Sequence, residues 1–198
     1  MMATDRHGLM HTVDRIIPAC VRAHPVEWQA ARHLTILAAI TAVSAPLLTL
    51  MYHLLGYDAA GAVVLTAGVV MMTAPFALNA GVGIAVARDL FVGALYVLKV
   101  WMALHLGGLG APTTPWFLLC PAVAMLLGGL RPGLLWSALV GATLLALFAL
   151  ERSGALPAAH EVADPQVLEL VSLLGLVALV TIILALATGI ACVERRVK

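Results

Sequence analysis

Long runs of apolar residues fill most of this chain, and only single charges, glycines and prolines interrupt them. A helix that crosses a lipid bilayer needs about 20 predominantly apolar residues. The runs predict six membrane-spanning helices, at residues 34–55, 60–78, 84–106, 116–130, 133–150 and 167–193. With 63% hydrophobic and 11% charged residues and a mean hydropathy of +1.05, the chain lacks the polar surface of a water-soluble domain. We therefore expect an all-α integral membrane protein.

Lysine and arginine residues lie almost entirely on one side of the predicted bundle. Cytoplasmic loops are enriched in these residues, and with the amino terminus inside, nine of the eleven fall in cytoplasmic segments. The nine are Arg6, Arg15, Arg22, Arg32, Arg88, Arg131, Arg195, Arg196 and Lys198. Only Arg152 falls in an outer loop, and Lys99 lies inside the third span. The distribution predicts that both termini are cytoplasmic.

The chain divides into three parts. These are a cytoplasmic or interfacial segment at 1–33, the six-helix transmembrane domain at 34–193, and a cytoplasmic stub of the sixth helix at 194–198. Pro25, at a first helical position, and Glu27, in a first turn, predict a helix that begins there and continues into the first span. A regulatory arm that contacts a cytoplasmic partner is the alternative for the first segment.

Lys99 is the one lysine predicted inside a span, where an ammonium is costly unless it pairs, meets water or reaches the interface. Tyr96 lies three residues earlier on the same helical face, so the two would line a polar pocket or hold an anionic ligand group. Lys99 lies less than two turns from the outer end of the span at Leu106, and this short distance favours the other interpretation, in which Lys99 extends its amine to the lipid headgroups. The candidate ligand site consists of Tyr96, Lys99, Trp101, His105, Pro112 and Trp116.

Metal and catalytic chemistry are not indicated. His53, His105 and His160 are all predicted on the outer side, which allows a metal site or a proton-sensing cluster with carboxylates such as Glu161. His53 and His105 have no second ligand three or four residues away, and His160 has only Asp164 at that spacing, so we expect neither a metal nor a cofactor. Because no phosphate-binding loop, nucleophile–base pair or zinc-hydrolase motif is present, we expect no enzymatic activity within this chain. No basic stripe indicates nucleic acid.

Small residues and prolines mark the predicted helices. Small residues recur at four-residue spacing in the fifth helix, at Gly133, Ser137 and Gly141. They predict a packing seam within the bundle, with a dimer contact as the alternative. Prolines lie inside three spans, at Pro46, Pro75 and Pro121, where each favours a kink. The three cysteines show no metal or disulfide spacing, and Cys120 and Cys192 are predicted to be packing residues.

The turn after the third span reads Gly107-Gly108-Leu109-Gly110-Ala111-Pro112 and is followed by Trp116 and an apolar helix. This stretch resembles the outer turn between spans 3 and 4 of bacterial six-span sensor regions, in which a Gly-Gly-x-x-Ser-Pro element precedes an aromatic-rich helix. Ala111 stands where serine is usual. The layout is also similar, with short loops, a longer proline-containing loop before the sixth span, and a charged end at residues 194–198.

The resemblance implies a sensor and dimerisation module of a bacterial signal-transduction protein. Such regions precede the catalytic parts of histidine kinases, class III adenylate cyclases and diguanylate cyclases, and their sixth span continues into a coiled coil. The implied partners are the lipid bilayer of the inner membrane, a second copy, a cytoplasmic output domain, and a small apolar or amphipathic ligand. The alternative function is a small transporter or channel subunit, although no internal repeat or buried ionisable pair is seen.

Overall fold

The structure, a computed structural model, describes residues 25–160 and 163–197, with side chains for 27–160 and 163–188. Its α-helices are α1 Pro25–Leu54, α2 Asp58–Asn79, α3 Ile84–His105, α4 Leu119–Gly128, α5 Leu130–Ser153 and α6 Pro165–Val197. Two short 3-10 helices, Gly108–Gly110 and Thr114–Leu118, connect α3 to α4. The described residues form no β-strand, and the prediction of an all-α protein is confirmed.

Four of the helices, α1, α2, α5 and α6, are long and apolar enough to cross a membrane. Helix α3 is about 33 Å long, which is sufficient for a span, but it contains Arg88, Asp89 and Lys99. The second 3-10 helix and α4 together form an apolar segment that covers only residues 114–128. These four helices are compatible with a multi-pass membrane protein, and the six spans with cytoplasmic termini stay a prediction.

The helix ends follow the prolines and glycines of the sequence. Helix α1 begins at Pro25 and continues without a break, as predicted. Between α4 and α5, Gly129 has a φ of 79°, a conformation that favours glycine, so the chain reverses within one residue. Arg131 and Pro132 were expected in that turn, but they lie in the first turn of α5, where a proline costs no helical hydrogen bond.

Two of the three prolines lie inside long helices as predicted. Pro46 is within α1 and Pro75 is within α2. Pro121 instead lies in the first turn of α4, because a 3-10 helix occupies the preceding residues 114–118. No helical hydrogen bond is lost in a first turn, so the kink predicted at this position does not follow.

The shortest helix, α4, lies at the centre of the bundle. It packs against α1, α3, α5 and α6. Four of its side chains are at most 1% exposed, namely Leu119, Cys120, Val123 and Ala124. A helix surrounded by other helices does not have to match the thickness of the lipid by itself. Cys120 is a packing residue, as predicted, whereas the side chains of Cys20 and Cys192 lie outside the described residues.

Small residues bring two pairs of helices close together. A Cβ atom on Gly68 of α2 would lie 2.6 Å from the Cβ of Ala45 on α1. A Cβ on Gly133 of α5 would lie 2.9 Å from the Cβ of Met125 on α4, whereas one on Gly141 would meet no atom within 4 Å. The packing seam of small residues predicted along α5 therefore shows a close approach at Gly133, near the start of the helix, and none at Gly141.

Helix α6 is the least embedded of the four candidate spans. In its most apolar stretch 11% of the residues are buried, against 39% in α2. It packs chiefly against α4. Leu170, Leu174 and Val177 are each more than half exposed. Few protein contacts therefore fix the position of α6 relative to the other helices.

Candidate ligand site around Lys99 and Trp116

Lys99 projects from α3 into the interior of the bundle. The residue is 8% exposed, and its Nζ lies 4.4 Å from the centroid of the Trp116 ring. A cation over the face of an indole is attracted by the ring, by about 2 kcal/mol where water is excluded. The amine of Lys99 therefore does not extend to the lipid headgroups in this structure, because the side chain is buried inside the bundle.

Trp116, in the second 3-10 helix, contacts α6 through both its N–H group and its ring. The Nε1–H group donates to Ser172 Oγ at 2.8 Å and to the Ser172 carbonyl oxygen at 3.1 Å. The ring packs on Gly175, where a Cβ atom would lie 3.0 Å from Trp116 Cζ2. Ser172 Oγ donates in turn to the Pro112 carbonyl oxygen at 2.8 Å. We call Lys99, Trp116, Ser172 and Gly175 the Trp116 junction.

Two cavities adjoin the Trp116 junction. The polar cavity has a volume of about 40 Å³, and its walls include Tyr52, Thr113 and Ser172. The apolar cavity has a volume of about 80 Å³ and is lined mainly by aliphatic side chains of α1 and α3. Lys99 and Trp116 line both cavities. Because one water molecule needs roughly 10–15 Å³, the two cavities together have room for a small molecule.

Two hydroxyl groups of the polar cavity have no hydrogen-bond partner within the described part of the chain. Thr113 is 5% exposed, and its Oγ1 atom is buried without a partner. Tyr52 is 4% exposed, and its hydroxyl makes no hydrogen bond to a described residue. Since buried polar atoms are nearly always hydrogen-bonded, Thr113 Oγ1 is suited to bind a small molecule, and the Tyr52 hydroxyl is a second donor available in the wall of the same cavity.

Tyr96 belongs to the contact between α3 and α5 and lines neither of the two cavities. Its hydroxyl lies 2.6 Å from Thr143 Oγ1 and donates to it, because Thr143 donates its own hydrogen to the Leu139 carbonyl oxygen. The ring of Tyr96 packs edge-on against Phe117 and Trp136. The structure thus does not place Tyr96 and the lysine in one pocket.

Trp101 and His105 belong to a stack of four rings at the end of the bundle that carries the α5–α6 loop. The order is His160, Tyr57, Trp101 and His105, with centroid separations of 3.9, 6.1 and 4.1 Å. The backbone N–H of His160 donates to the His105 carbonyl oxygen at 2.9 Å. Burial raises the pKa of the Tyr57 hydroxyl above its usual value. None of the four rings lines either of the two cavities.

Comparisons with protein families, with curated proteins and with solved structures found no match. The site is therefore interpreted from its own chemistry.

The other charges of α3 are paired. Arg88 donates from Nε and Nη2 to the two carboxylate oxygens of Asp89, each at 2.9 Å. The Arg88 guanidinium also lies against Gly128 at the end of α4, where a positive charge is favourable. Lys99 is the α3 cation without an ionic partner among the residues described.

The three histidines predicted on the outer side do not form a common site in the described part of the chain. His53 lies beside Asp58 at the start of α2, whereas His105 and His160 are members of the ring stack. Within residues 25–160 and 163–197, no three His, Cys, Asp or Glu side chains lie together as a metal ion would require. Glu161, named with these histidines, lies outside the described residues.

The structure brings Lys99, Trp116 and Pro112 together, and it separates them from Tyr96, Trp101 and His105. Reasoning from the sequence missed Tyr52, Thr113, Ser172 and Gly175. Thr113 directly follows Pro112 in the turn at residues 107–112, so its neighbourhood to the candidate site could have been recognised from the sequence. Ser172 lies 56 residues from Trp116, and no local pattern could indicate that contact.

Proposed function

We propose that this protein is a membrane-embedded sensor and dimerisation module, in which a small molecule at the Trp116 junction changes the position of α6. One observation carries the proposal: Trp116 contacts Lys99 inside the bundle and contacts Ser172 and Gly175 on α6. The partners are a second copy of the chain and a cytoplasmic output domain, that of a histidine kinase first and of a cyclase second.

Signalling of this kind needs an element with two packings, to which the ligand binds with different affinity. Helix α6 suits this role because few of its residues are buried and its neighbour is chiefly α4. A ligand that displaced the Trp116 ring would remove contacts with Ser172 and Gly175 together. The helix would then settle against the bundle in a second position, and its far end would carry the change to the output domain.

The proposal includes six spans, with both termini on the cytoplasmic side of a bacterial inner membrane. The charges of α3 do not prevent this helix from spanning, because Arg88 and Asp89 pair with each other and Lys99 is buried against Trp116. The apolar segment at residues 114–128 is about 25 Å long, and its neighbouring helices surround it. The distribution of lysine and arginine supports the orientation.

A fusion of residue 198 to the catalytic domain of a class III adenylate cyclase tests the proposal. Gly175→Ala places a methyl group against the Trp116 ring, so we expect basal cyclase output to change by at least about twofold. Gly141→Ala is the matched control, because its methyl group meets no atom within 4 Å, and it should leave output unchanged. The coupling through Trp116 is rejected if both variants give wild-type output.

A small transporter is the second candidate, and one observation favours it: two cavities adjoin at a buried lysine. Liposomes that contain the purified chain would then take up a labelled solute faster than empty liposomes. Such uptake, with no effect of Gly175→Ala on cyclase output, would replace the sensor proposal by the transporter.

A further inference from the structure

Lys99 supplies the single charge in the walls of both cavities. No Asp, Glu, Arg or His is among the described residues that line either one. A buried ammonium without a counter-charge is unfavourable, and the contact with the Trp116 ring offsets only part of that cost. A bound anion would supply the missing charge.

Three residues with hydrogen-bond donors line the polar cavity, and they come from α1, α3 and the connection between α3 and α4. The ammonium of Lys99 has only donors, and the hydroxyls of Thr113 and Tyr52 have no partner among the described residues. Ser172 is different, because it already accepts from Trp116 and donates to Pro112. A group rich in acceptors therefore fits the cavity better than a further donor would.

The charge balance selects the kind of anion. One lysine neutralises one negative charge, which a carboxylate carries at neutral pH, whereas a phosphate group carries about −1.5 to −2. The two oxygens of a carboxylate can accept from the ammonium and from both hydroxyls at once. A single carboxylate thus matches the donors of the polar cavity.

The apolar cavity determines the rest of the ligand. Aliphatic and aromatic side chains form most of its wall, among them Leu37, Ile40, Val64, Phe91 and Leu95. Its volume of about 80 Å³ leaves room for a short hydrocarbon chain and not for a long one. The two cavities adjoin at Lys99 and Trp116, so a head and a tail of one molecule would occupy them together.

We propose that the two cavities bind a short-chain aliphatic carboxylate, with its carboxylate group at Lys99, Thr113 and Tyr52 and its alkyl group in the apolar cavity. This inference rests on the proposed function, because it assigns the ligand class of the site that holds α6. Leu168 and Ser172 of α6 line the polar cavity, so the bound carboxylate lies directly beside this helix.

Thermal unfolding of the purified full chain in phosphatidylcholine nanodiscs tests the inference. The probes are butyrate, its neutral analogue butyramide, dodecanoate and inorganic phosphate. Dodecanoate represents a long-chain fatty acid derived from lipid. The variants are Lys99→Met and Thr113→Val, which keep side-chain size. The control is Arg152→Met, which removes an exposed positive charge outside both cavities.

We expect butyrate to raise the unfolding temperature of the wild type and of Arg152→Met, with a Kd at least tenfold weaker in Lys99→Met and in Thr113→Val. Butyramide and phosphate should give no shift. An equal shift with butyramide would overturn the assignment of a carboxylate, and a shift with dodecanoate alone would overturn the short chain. Absence of any shift with butyrate would overturn the inference altogether.

Failure of this inference is distinguishable from failure of the proposed function. The binding assay uses the chain without an output domain, whereas the cyclase fusion reports the effect of Gly175→Ala without a ligand. If butyrate does not bind and the fusion still responds to Gly175→Ala, only the ligand class is wrong. If butyrate binds and the fusion does not respond, the site exists but its coupling to α6 is wrong.

Discussion

Lys99 carries a positive charge into an interior where its described neighbours supply an indole ring, hydroxyl groups and aliphatic side chains but no carboxylate. The sequence shows that the residue is unusual, because a lysine in an apolar run is rare. It does not show the direction of the side chain, which depends on the position of Trp116 in another element. That position is set by the contacts of Trp116 with Ser172 and Gly175.

Replacement of Lys99 by methionine should stabilise the protein. The substitution keeps the approximate length of the side chain and removes a buried charge that has no ionic partner among the described residues, and a buried unsatisfied polar group costs about 1–3 kcal/mol. We expect the free energy of unfolding to rise by about this amount. For a chain of this size the unfolding temperature should rise by roughly 2–4 °C per kcal/mol, as measured in nanodiscs without added ligand.

Arg152→Met is the control, because Arg152 is exposed and its loss should change the free energy of unfolding by less than about 0.5 kcal/mol. A lower unfolding temperature for Lys99→Met than for wild type would mean that the lysine is a structural residue. Its role as a ligand group would then lose its physical basis.

At the scale of the helices, the apolar runs predict the elements well. Helices α2 and α3 were expected at 60–78 and 84–106 and lie at Asp58–Asn79 and Ile84–His105. Both are bounded by glycines or polar residues that local sequence reveals. The start of α4 was predicted less well, because a 3-10 helix at Thr114–Leu118 precedes it and the local pattern of apolar residues is the same in both.

The contact between α1 and α2 depends on a glycine whose role the sequence did not indicate. Gly68→Ala would place its methyl carbon 2.6 Å from the Cβ of Ala45, so the two helix backbones must move apart. We expect the free energy of unfolding to fall by about 1–3 kcal/mol, measured as the unfolding temperature in nanodiscs.

The matched control for Gly68→Ala is Gly141→Ala, in which the new methyl group meets no atom within 4 Å. An alanine in a helix is favoured over glycine by about 1 kcal/mol, so this variant should be as stable as wild type or more stable. Equal unfolding temperatures for the two variants would contradict the close packing of α1 on α2.

At the scale of the whole molecule, the number of spans is decided by the hairpin of α3 and α4. If this hairpin crosses the membrane, the chain has six spans, and if it does not, the chain has four. The termini lie on the same side in both cases. Only the turn between α3 and α4 changes sides, so the charge distribution at the two ends does not distinguish the alternatives.

Single cysteines distinguish six spans from four in a variant whose Cys20, Cys120 and Cys192 are replaced by alanine. With six spans, an impermeant maleimide added to intact spheroplasts should label a cysteine at Ser153 and one at Gly110, and should label one at Asn79 only after permeabilisation. With four spans, the cysteine at Gly110 would behave as the one at Asn79 does. Labelling at Ser153 is the positive control in both cases.

The sequence by itself determined that this chain forms long apolar helices suited to lipid, because the solvent preference of a run of side chains is a local and additive property. It also indicated Lys99, since one charge in such a run is visible without any structure. Only the tertiary structure decided which side chains surround that charge. Tyr52 lies in α1, Thr113 and Trp116 lie in the connection between α3 and α4, and Ser172 lies in α6. These three parts of the chain meet through helix packing that no local pattern encodes.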